Sequence, residues 1–296
     1  MDKSTGHGND TVHVSILNTN TKNRSAIITT TAVNSNLFHQ VIVDQAYYDL
    51  EMLRQKYIGK AGSSINAIVP ASDGGYLCVG RTNFNSSPGA ADQGDAWIVQ
   101  LTTLGDTTWT RTINRSNSDQ ANAVIATTDG GYIVAGETNN SNNSFVTQKD
   151  WWLIKLKSNG DTAWTKVMGT DKHEFVNGMA ATPDGGFVII GLYDDSINNV
   201  QDMLMAKFTS DGNVIWQKKL GGAGADNGLA VSVDSKGYIF VAGVTSSNNS
   251  GDVGSNHGEN DSWVIKLNSN GDIVWSKVLG GNKTDGAYAI SGTKDG

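Results

Sequence analysis

The residues best able to do chemistry in this sequence are acids in polar segments that lead into apolar runs. Such an aspartate recurs four times, at Asp95, Asp150, Asp202 and Asp261. A ring of carboxylates could bind cations, but one carboxylate per run places neighbours too far apart to share an ion. An aspartate at a loop end commonly accepts backbone N–H hydrogen bonds instead. We therefore interpret the four as structural loop residues, and expect no metal site, no cofactor and no metal requirement for folding.

The histidines offer little acid–base chemistry. No two of them have the spacing of a metal site on one helix or strand. His173 beside Glu174, and His257 near Glu259, are the pairs that could act as acid and base. No GxSxG nucleophile motif occurs. The sequence therefore favours a noncatalytic protein over an enzyme, with an enzyme kept as the alternative.

Aromatic residues give a second candidate chemistry, because exposed rings can stack on sugars. Tryptophan recurs at a fixed place in the chain, at Trp109, Trp164, Trp216 and Trp275. These residues lie in the middle of predicted strands, so we expect them to pack between sheets. Trp151 is an additional aromatic beside a loop, and we expect it to be partly exposed.

The elements that position these residues belong to a unit that repeats about every 51 to 59 residues, a period close to that of propeller blades. The clearest copy, 122–169, predicts four strands, A to D. Strand A is NAVIAT, strand B is YIVAG, strand C is WWLIKL and strand D is TAWTKVM. Gly-rich turns at 128–131 and 158–161 join A to B and C to D.

The polarity of these strands predicts sheets that stack face to face. Both faces of strand C are mostly apolar, whereas a sheet with one face in water would alternate between apolar and polar. Strand B ends in a recurring glycine, which predicts a close backbone approach near a crowded central axis. The glycines are Gly80, Gly136, Gly191 and Gly243.

The expected fold is therefore an all-β propeller of four-stranded antiparallel blades. We expect an incomplete or open ring of about five blades plus the start of another. Residues 1–10 are a flexible lead, and 11–59 are a degenerate first blade or a separate N-terminal cap. Clear blades span 60–115, 116–170, 171–222 and 223–281, and 282–296 begin a further one.

Two stretches of the last clear repeat carry a family resemblance. They are GGAGADNGLAVSVDSKGYIFVAGVTSS at 221–247 and SWVIKLNSNGDIVWSKVLGG at 262–281. They resemble bacterial β-propeller repeats of the SBBP type, which are similar to repeats in secreted and surface proteins of Bacteroidetes. The resemblance covers about residues 50–296. It implies a fold and a location outside the cell or at its surface, as in a secreted protein or lipoprotein, but no activity.

Composition limits the partners. The net charge is −7, which argues against nucleic acid. No apolar run is long enough for a transmembrane helix, and no signal peptide is present. The single cysteine, Cys78, lies in a predicted strand and is expected to be buried. We expect a monomer that binds a protein or glycan.

Strand order places the A–B and C–D turns on one rim of the fold and the B–C and D–A connections on the other. The B–C loops differ in length and sequence between repeats, and binding commonly uses loops held by a rigid scaffold. We therefore expect the ligand on the rim of B–C and D–A connections, with a carbohydrate-active hydrolase or lyase acting at the central channel as the alternative. The predicted ligand contacts are Phe84, Phe145, Trp151, Tyr193 and His257.

Overall fold

The computed structural model describes residues 24–31, 38–45, 59, 62–82, 94–116, 118–139, 148–195 and 200–292. These residues form eighteen strands and no helix. Within this part of the chain, nothing could cross a membrane as a helix. The chain divides into two compact units, Met1–Gln55 and Lys56–Gly296.

The first unit contains one antiparallel hairpin, formed by β1 (Arg24–Thr31) and β2 (Phe38–Gln45). The degenerate first blade or N-terminal cap expected over 11–59 is described only at 24–31, 38–45 and 59, so the choice between the two stays a prediction.

The second unit contains four sheets, each of four antiparallel strands in chain order. Sheet I comprises β3 (Ser64–Pro70), β4 (Tyr76–Thr82), β5 (Asp95–Leu101) and β6 (Thr107–Ile113). Sheet II comprises β7 (Asp119–Ala126), β8 (Tyr132–Asn139), β9 (Lys149–Leu156) and β10 (Thr162–Met168). Sheet III comprises β11 (His173–Ala181), β12 (Phe187–Asp195), β13 (Val200–Phe208) and β14 (Val214–Leu220). Sheet IV comprises β15 (Asp226–Val233), β16 (Ile239–Thr245), β17 (Asp261–Leu267) and β18 (Ile273–Leu279). The prediction of an all-β chain of four-stranded blades is confirmed.

The sheets pack in series, with their first strands innermost. Strand β3 lies against β7, β7 against β11, and β11 against β15. The fourth strands are the most exposed in their sheets, as in β6 and β10. Beyond sheet IV, the segment 282–292 lies along that sheet: the Ala287 N–H donates to Gly243 O over 3.3 Å, and the Gly292 N–H donates to Ser232 Oγ over 3.0 Å.

Three apolar cores join successive sheets, because the middle strands are buried on both faces. Every residue of β9 after the first is buried. The expectation that Trp151 is partly exposed is wrong, since only 1% of it is accessible, and it lies in the core between sheets II and III. Cys78 is buried as expected, and burial raises the pKa of its thiol to about 11.

A β-bulge interrupts each innermost strand at the same place. In sheets I to III the extra residue is an asparagine, and in sheet IV it is Leu229. The recurring strand-B glycine pairs with the residue before the bulge. A β-carbon on Gly136 would collide with Gln120 O. The expected close approach is therefore real, but the near backbone belongs to the glycine's own sheet rather than to the central axis.

The bulge asparagines link one sheet to the next. Asn66 Nδ2 donates to Ala121 O over 2.9 Å, Asn122 Nδ2 to Val176 O over 3.1 Å, and Asn177 Nδ2 to Gly228 O over 2.8 Å. The three acceptors occupy the same position in their sheets, directly before the bulge. Leu229 cannot donate such a bond. In the fourth repeat the nearest asparagine, Asn227, precedes the bulge by two positions and does not occupy it.

The recurring tryptophans make a second link between sheets. A β-carbon on Gly160 would lie 2.6 Å from Trp109, and one on Gly212 would lie 2.6 Å from Trp164. Each ring therefore covers the C–D turn of the following sheet, at a glycine whose positive φ suits a tight turn. Trp216 makes the same contact, and its Nε1 also donates to Ser269 O over 3.1 Å. The prediction that these residues pack between sheets is confirmed. Trp275, in the last described sheet, is 37% exposed.

Candidate functional site

The B–C loops and D–A connections emerge on one side of the second unit, because the antiparallel strands alternate in direction. We call this side the loop rim, and the side with the A–B and C–D turns the turn rim. Two predicted contacts on the loop rim, Phe84 and Phe145, lie outside the described residues.

The other three predicted contacts do not form one site. Trp151 is buried and its Nε1 donates to Phe175 O over 3.0 Å, so it is not exposed on the rim, although it forms part of the wall of a small cavity beside Gly169. Tyr193 is half-buried at the end of β12, with Lys219 Nζ 4.1 Å from the centre of its ring. His257 is half-exposed and binds Asp261. Each of the three belongs to a different sheet.

The four predicted loop aspartates differ from one another. Asp261 accepts the His257 backbone N–H over 2.6 Å, and its Oδ2 lies 3.0 Å from His257 Nδ1, which is the loop-fixing role expected from the sequence. Asp95 accepts a hydrogen bond from Asn114 Nδ2 over 2.5 Å. Asp202 is half-buried. Asp150 is fully buried, and neither carboxylate oxygen has a hydrogen-bond partner. The loop-fixing interpretation is therefore wrong for Asp150.

A second acid recurs in the chain, and the sequence analysis did not recognise it as part of the repeat. It lies at or near the start of the innermost strand of the next sheet or, after sheet IV, in the segment 282–292. Glu174 accepts the Thr170 N–H over 3.2 Å, and Asp226 accepts the Gly222 N–H over 2.7 Å. The Arg115 backbone N–H likewise donates to Asp119, and the Gly281 backbone N–H donates to Asp285. In each case the donor precedes the acid by four positions. The sequence signal is an acid five residues after Asn114, Gly169, Gly221 or Gly280. These acids close the D–A connections.

The two acids of successive sheets face each other across a glycine. A β-carbon on Gly169 would collide with Asp150 Oδ1 and would lie 2.8 Å from Glu174 Oε2. Gly221 stands in the same way between Asp202 and Asp226, and Gly280 between Asp261 and Asp285. We call these groups the carboxylate pairs. At the equivalent place after sheet I, Asn114 replaces the glycine, and its side-chain amide binds Asp95.

Burial makes ionisation costly for three of these acids, Asp150, Glu174 and Asp202, and like charge adds to the cost for the last two. Burial raises the pKa of Asp150, and the charges of Arg115 and His173 only partly oppose it. Burial also raises the pKa of Glu174, and the neighbouring Asp150 raises it further, against the hydrogen bonds from Thr170. For Asp202, burial and the nearby Asp226 raise the pKa. Perturbed carboxyl groups of this kind occur at functional sites as well as in structural networks.

A cavity of about 290 Å³ lies beside the first of these pairs, between sheets II and III. Its walls include Met168, Gly169, Thr170, Glu174 and Gln217. This volume is at the small end for a ligand site. It can hold water or a small group next to the acids.

Glu137 is a further buried acid that the sequence analysis missed. Its carboxylate accepts hydrogen bonds from Gln120 Nε2 over 2.8 Å, Asn122 Nδ2 over 2.9 Å and the Val176 N–H over 3.2 Å. Burial raises its pKa, and the charge of Lys149 opposes that shift. Because protein groups bond both of its oxygens, Glu137 is a structural acid that ties β8 to β11.

The long loop of sheet IV, 246–260, is folded onto the neighbouring D–A connection. The Asp252 N–H donates to Gly221 O over 2.9 Å, and the Gly224 N–H donates to Ser247 Oγ over 2.8 Å. Val253, from the same loop, is buried in the core between sheets III and IV. The loop is therefore a rigid part of the loop rim.

Comparison with known proteins supports the repeat and says little about activity. The family model described as SBBP, beta-propeller repeat, matches residues 215–249, which confirms a β-propeller repeat in this chain. No curated protein matches the chain significantly. The similarity to repeats in proteins of Bacteroidetes stays a prediction.

Solved structures give low similarity. XC5397 from Xanthomonas campestris, described as a gluconolactonase, is 12% identical over 76% of this chain and 65% of its own, with a TM-score of 0.41. Sqt1 from Chaetomium thermophilum is 13% identical over 75% of this chain and 62% of its own, with a TM-score of 0.33. The chain spans less than two thirds of either protein. At these TM-scores the likeness carries no argument about function.

Proposed function

We propose that this chain of β-propeller repeats is a noncatalytic binding or scaffold module of a bacterial surface or secreted protein, which holds a protein or glycan on its loop rim. The observation that carries the proposal is the contrast between the two rims. Short turns repeat almost unchanged on one rim, whereas loops of different length and sequence lie on the other.

The turn rim is occupied by its own hydrogen bonds. In sheet II, Asp129 Oδ1 accepts the Gly131 N–H over 3.0 Å and lies 2.8 Å from Lys155 Nζ. In sheet III, Asp184 makes the equivalent contacts with Gly186 and Lys207. Because the same polar groups bond to one another in both sheets, the turn rim offers a ligand few free groups and few groups that distinguish one sheet from the next.

The loop rim presents side chains that do not repeat. In sheet IV, Glu259 lies 3.2 Å from Lys283 Nζ, and both side chains are largely exposed. His257 is half-exposed beside them in the chain. In sheet III, Tyr193 and Lys219 form a separate aromatic and cationic pair. Aromatic and charged groups on a rigid support suit recognition of a polar partner.

The competing function is a carbohydrate-active hydrolase or lyase with a site at the central channel. Two carboxylates meeting in one place would suit such chemistry. The carboxylate pairs, however, occur after three successive sheets, and a catalytic pair is needed only once. Glu137, which has no counterpart in the other sheets, is engaged on both oxygens. We therefore propose binding rather than catalysis.

The test is a binding screen of the full chain on a glycan array and a protein array. Excising the loop 246–260 would remove the buried Val253, so side-chain substitutions are preferable. The loop-rim variant carries Tyr193→Ala, Lys219→Ala, His257→Ala and Glu259→Ala. The matched control carries three exposed turn-rim substitutions, Lys157→Ala, Lys236→Ala and Asn270→Ala.

We expect the loop-rim variant to lose at least about tenfold in affinity for the ligands that the screen finds, and the control to bind like the wild type. Equal binding by both variants would contradict the loop-rim site. Release of sugars from arrayed glycans by the wild type would favour the enzyme.

A further inference from the structure

Asp150 stands out among the described residues because the hydrogen-bond network leaves both oxygens of its carboxylate without a partner. It is also fully buried. Burying a carboxylate without compensating bonds is costly, so such a group normally binds a donor, an opposite charge or a metal ion. The group faces Glu174 across Gly169, which places a second acid where a compensating donor would be expected.

The cations around Asp150 do not neutralise it by contact. Arg115, on the preceding D–A connection, and His173, at the start of β11, act on it only through their charges. Neither forms an ion pair or hydrogen bond with it in the described part of the chain. Asp171 adds negative charge near Glu174 and is itself paired with Lys172 over 3.5 Å. Among the described residues, Asp150 therefore has no cation in contact.

A proton shared between the two acids would be one way to remove the repulsion. That arrangement needs a hydrogen bond between the carboxyl groups. Glu174 is affected by Asp150 through charge alone, and its hydrogen bonds come from Thr170. The two groups lie beside the same glycine, Gly169, and no hydrogen bond joins them.

The neighbouring atoms suit a cation that prefers oxygen. Both acids supply carboxylate oxygens, the Thr170 hydroxyl already contacts Glu174 Oε1, and the adjoining cavity of about 290 Å³ has room for water. Ca²⁺ accepts six to eight oxygen ligands, and Mg²⁺ is commonly held by one or two carboxylates with several waters. No His, Cys, Asp or Glu group of three or more with metal-site geometry occurs among the described residues, so water would have to complete the shell.

From these observations we propose that Asp150 and Glu174 together bind a divalent, oxygen-preferring cation such as Ca²⁺ on the loop rim. The site links β9 of sheet II to β11 of sheet III. The sequence analysis rejected cations because it counted one carboxylate per repeat, whereas the fold brings a second one from the next strand. The site does not depend on the proposed ligand-binding function.

The preceding sheet provides a natural comparison. There, Asn114 stands at the position of Gly169 and donates a hydrogen bond from its amide to Asp95. A neutral donor therefore compensates that carboxylate, which is the role that we assign to the cation at Asp150. The variant Gly169→Asn should copy this arrangement and close the site. Gly169 does not have a positive φ, so its backbone accepts a side chain, but the β-carbon would meet Asp150 Oδ1, and the Asp150 carboxylate must move aside to bond the new amide.

The test uses the full chain after treatment with EDTA and dialysis. Calorimetric titration with Ca²⁺, and separately with Mg²⁺, measures the binding stoichiometry, and thermal melts measure the stabilisation. We expect saturating Ca²⁺ or Mg²⁺ to raise the melting temperature by about 2–4 °C. Asp150→Asn and Gly169→Asn should each lose one bound ion and most of that increase. The control Asp129→Asn, on the turn rim, should retain both.

Two results would overturn the proposal. One is a wild-type protein that shows neither heat of binding nor a melting shift with millimolar Ca²⁺ and Mg²⁺. The other is a pair of site variants, Asp150→Asn and Gly169→Asn, that bind as many ions as the wild type. If one variant fails to fold, the other gives the same readout.

Discussion

At the scale of single residues, the same position in the repeat meets different surroundings. The aspartate before the third strand binds an asparagine amide in sheet I and a histidine in sheet IV. In sheet II it binds neither. The cost of burying a carboxylate depends on its partners, and the partner lies 19 residues away in the chain for Asp95 but only four for Asp261. The sequence shows that an aspartate recurs at this position, but the hydrogen-bond partners of its carboxylate depend on the fold.

The Asp129 carboxylate allows a prediction about acid stability. Hydrogen bonds from Lys155 and Thr127 lower its pKa from an ordinary 3.8 to about 2. A lowered folded-state pKa stabilises the protein above the unfolded value, and this contribution is lost as the pH falls through about 2. We expect Asp129→Asn to be less stable than the wild type by a constant amount above pH 4, and the gap to close between pH 4 and 2. Urea unfolding at several pH values measures it, and a gap unchanged at the acid end would refute it.

The tryptophans on the fourth strands permit a matched comparison. Trp164 covers the Gly212 turn of the next sheet, whereas Trp275 is 37% exposed. We expect Trp164→Ala to lower the free energy of unfolding by about 2–4 kcal/mol, because it removes a ring from between sheets. Trp275→Ala should cost no more than about 1 kcal/mol. Denaturant unfolding of both variants gives the ordering, and equal losses would show that the turn contact contributes little.

At the scale of elements, the strands were predictable and their register was not. Apolar runs separated by Gly-rich turns predicted all four strands of sheet II. Strands β7 to β10 lie at the predicted places in the chain. The bulges escaped notice because a bulge changes pairing without changing composition. The fourth repeat shows the effect: Asn227 looks like Asn122 in the sequence, but the bulge residue is Leu229.

The bulge asparagines should contribute to stability through the bonds that they donate. Asn122 Nδ2 serves both Val176 O and the buried Glu137. We expect Asn122→Leu, which copies the residue of sheet IV, to cost about 1–3 kcal/mol, because two acceptors lose a donor. The exposed turn residue Asn270 is the control, and Asn270→Ala should change stability by less than about 0.5 kcal/mol. Chemical denaturation measures the free energy of unfolding of each variant. An Asn122→Leu variant as stable as the wild type would show that the link contributes nothing to stability.

At the scale of the second unit, stability is divided among three cores, each shared by two neighbouring sheets. Repeated units with mainly nearest-neighbour contacts need not unfold as one body. The face-to-face packing was predictable, because strands with two apolar faces must be covered on both sides. The carboxylate pairs were not, since Asp150 and Glu174 meet only when strands of two sheets are placed side by side.

Hydrogen exchange should reveal this division. Ile189 is fully buried in the core between sheets II and III. We expect Ile189→Ala to speed amide exchange most in the middle strands of those two sheets, β8, β9, β12 and β13. Strands β4 and β17, in sheets I and IV, should change less. Mass spectrometry of exchanged peptides measures the pattern, and a uniform loss of protection in all four sheets would indicate one cooperative unit.

The links between sheets have a direction. The asparagine of one repeat donates to a backbone carbonyl of the next, and the tryptophan of one repeat covers a turn glycine of the next. Since the receiving groups are a main-chain carbonyl and a turn glycine that recurs in the repeats, the link requires no residue that belongs to one particular pair of sheets. A gene segment encoding one whole repeat could therefore be duplicated or lost with both new junctions still matched, whereas a cut within a repeat would leave donor and acceptor out of phase.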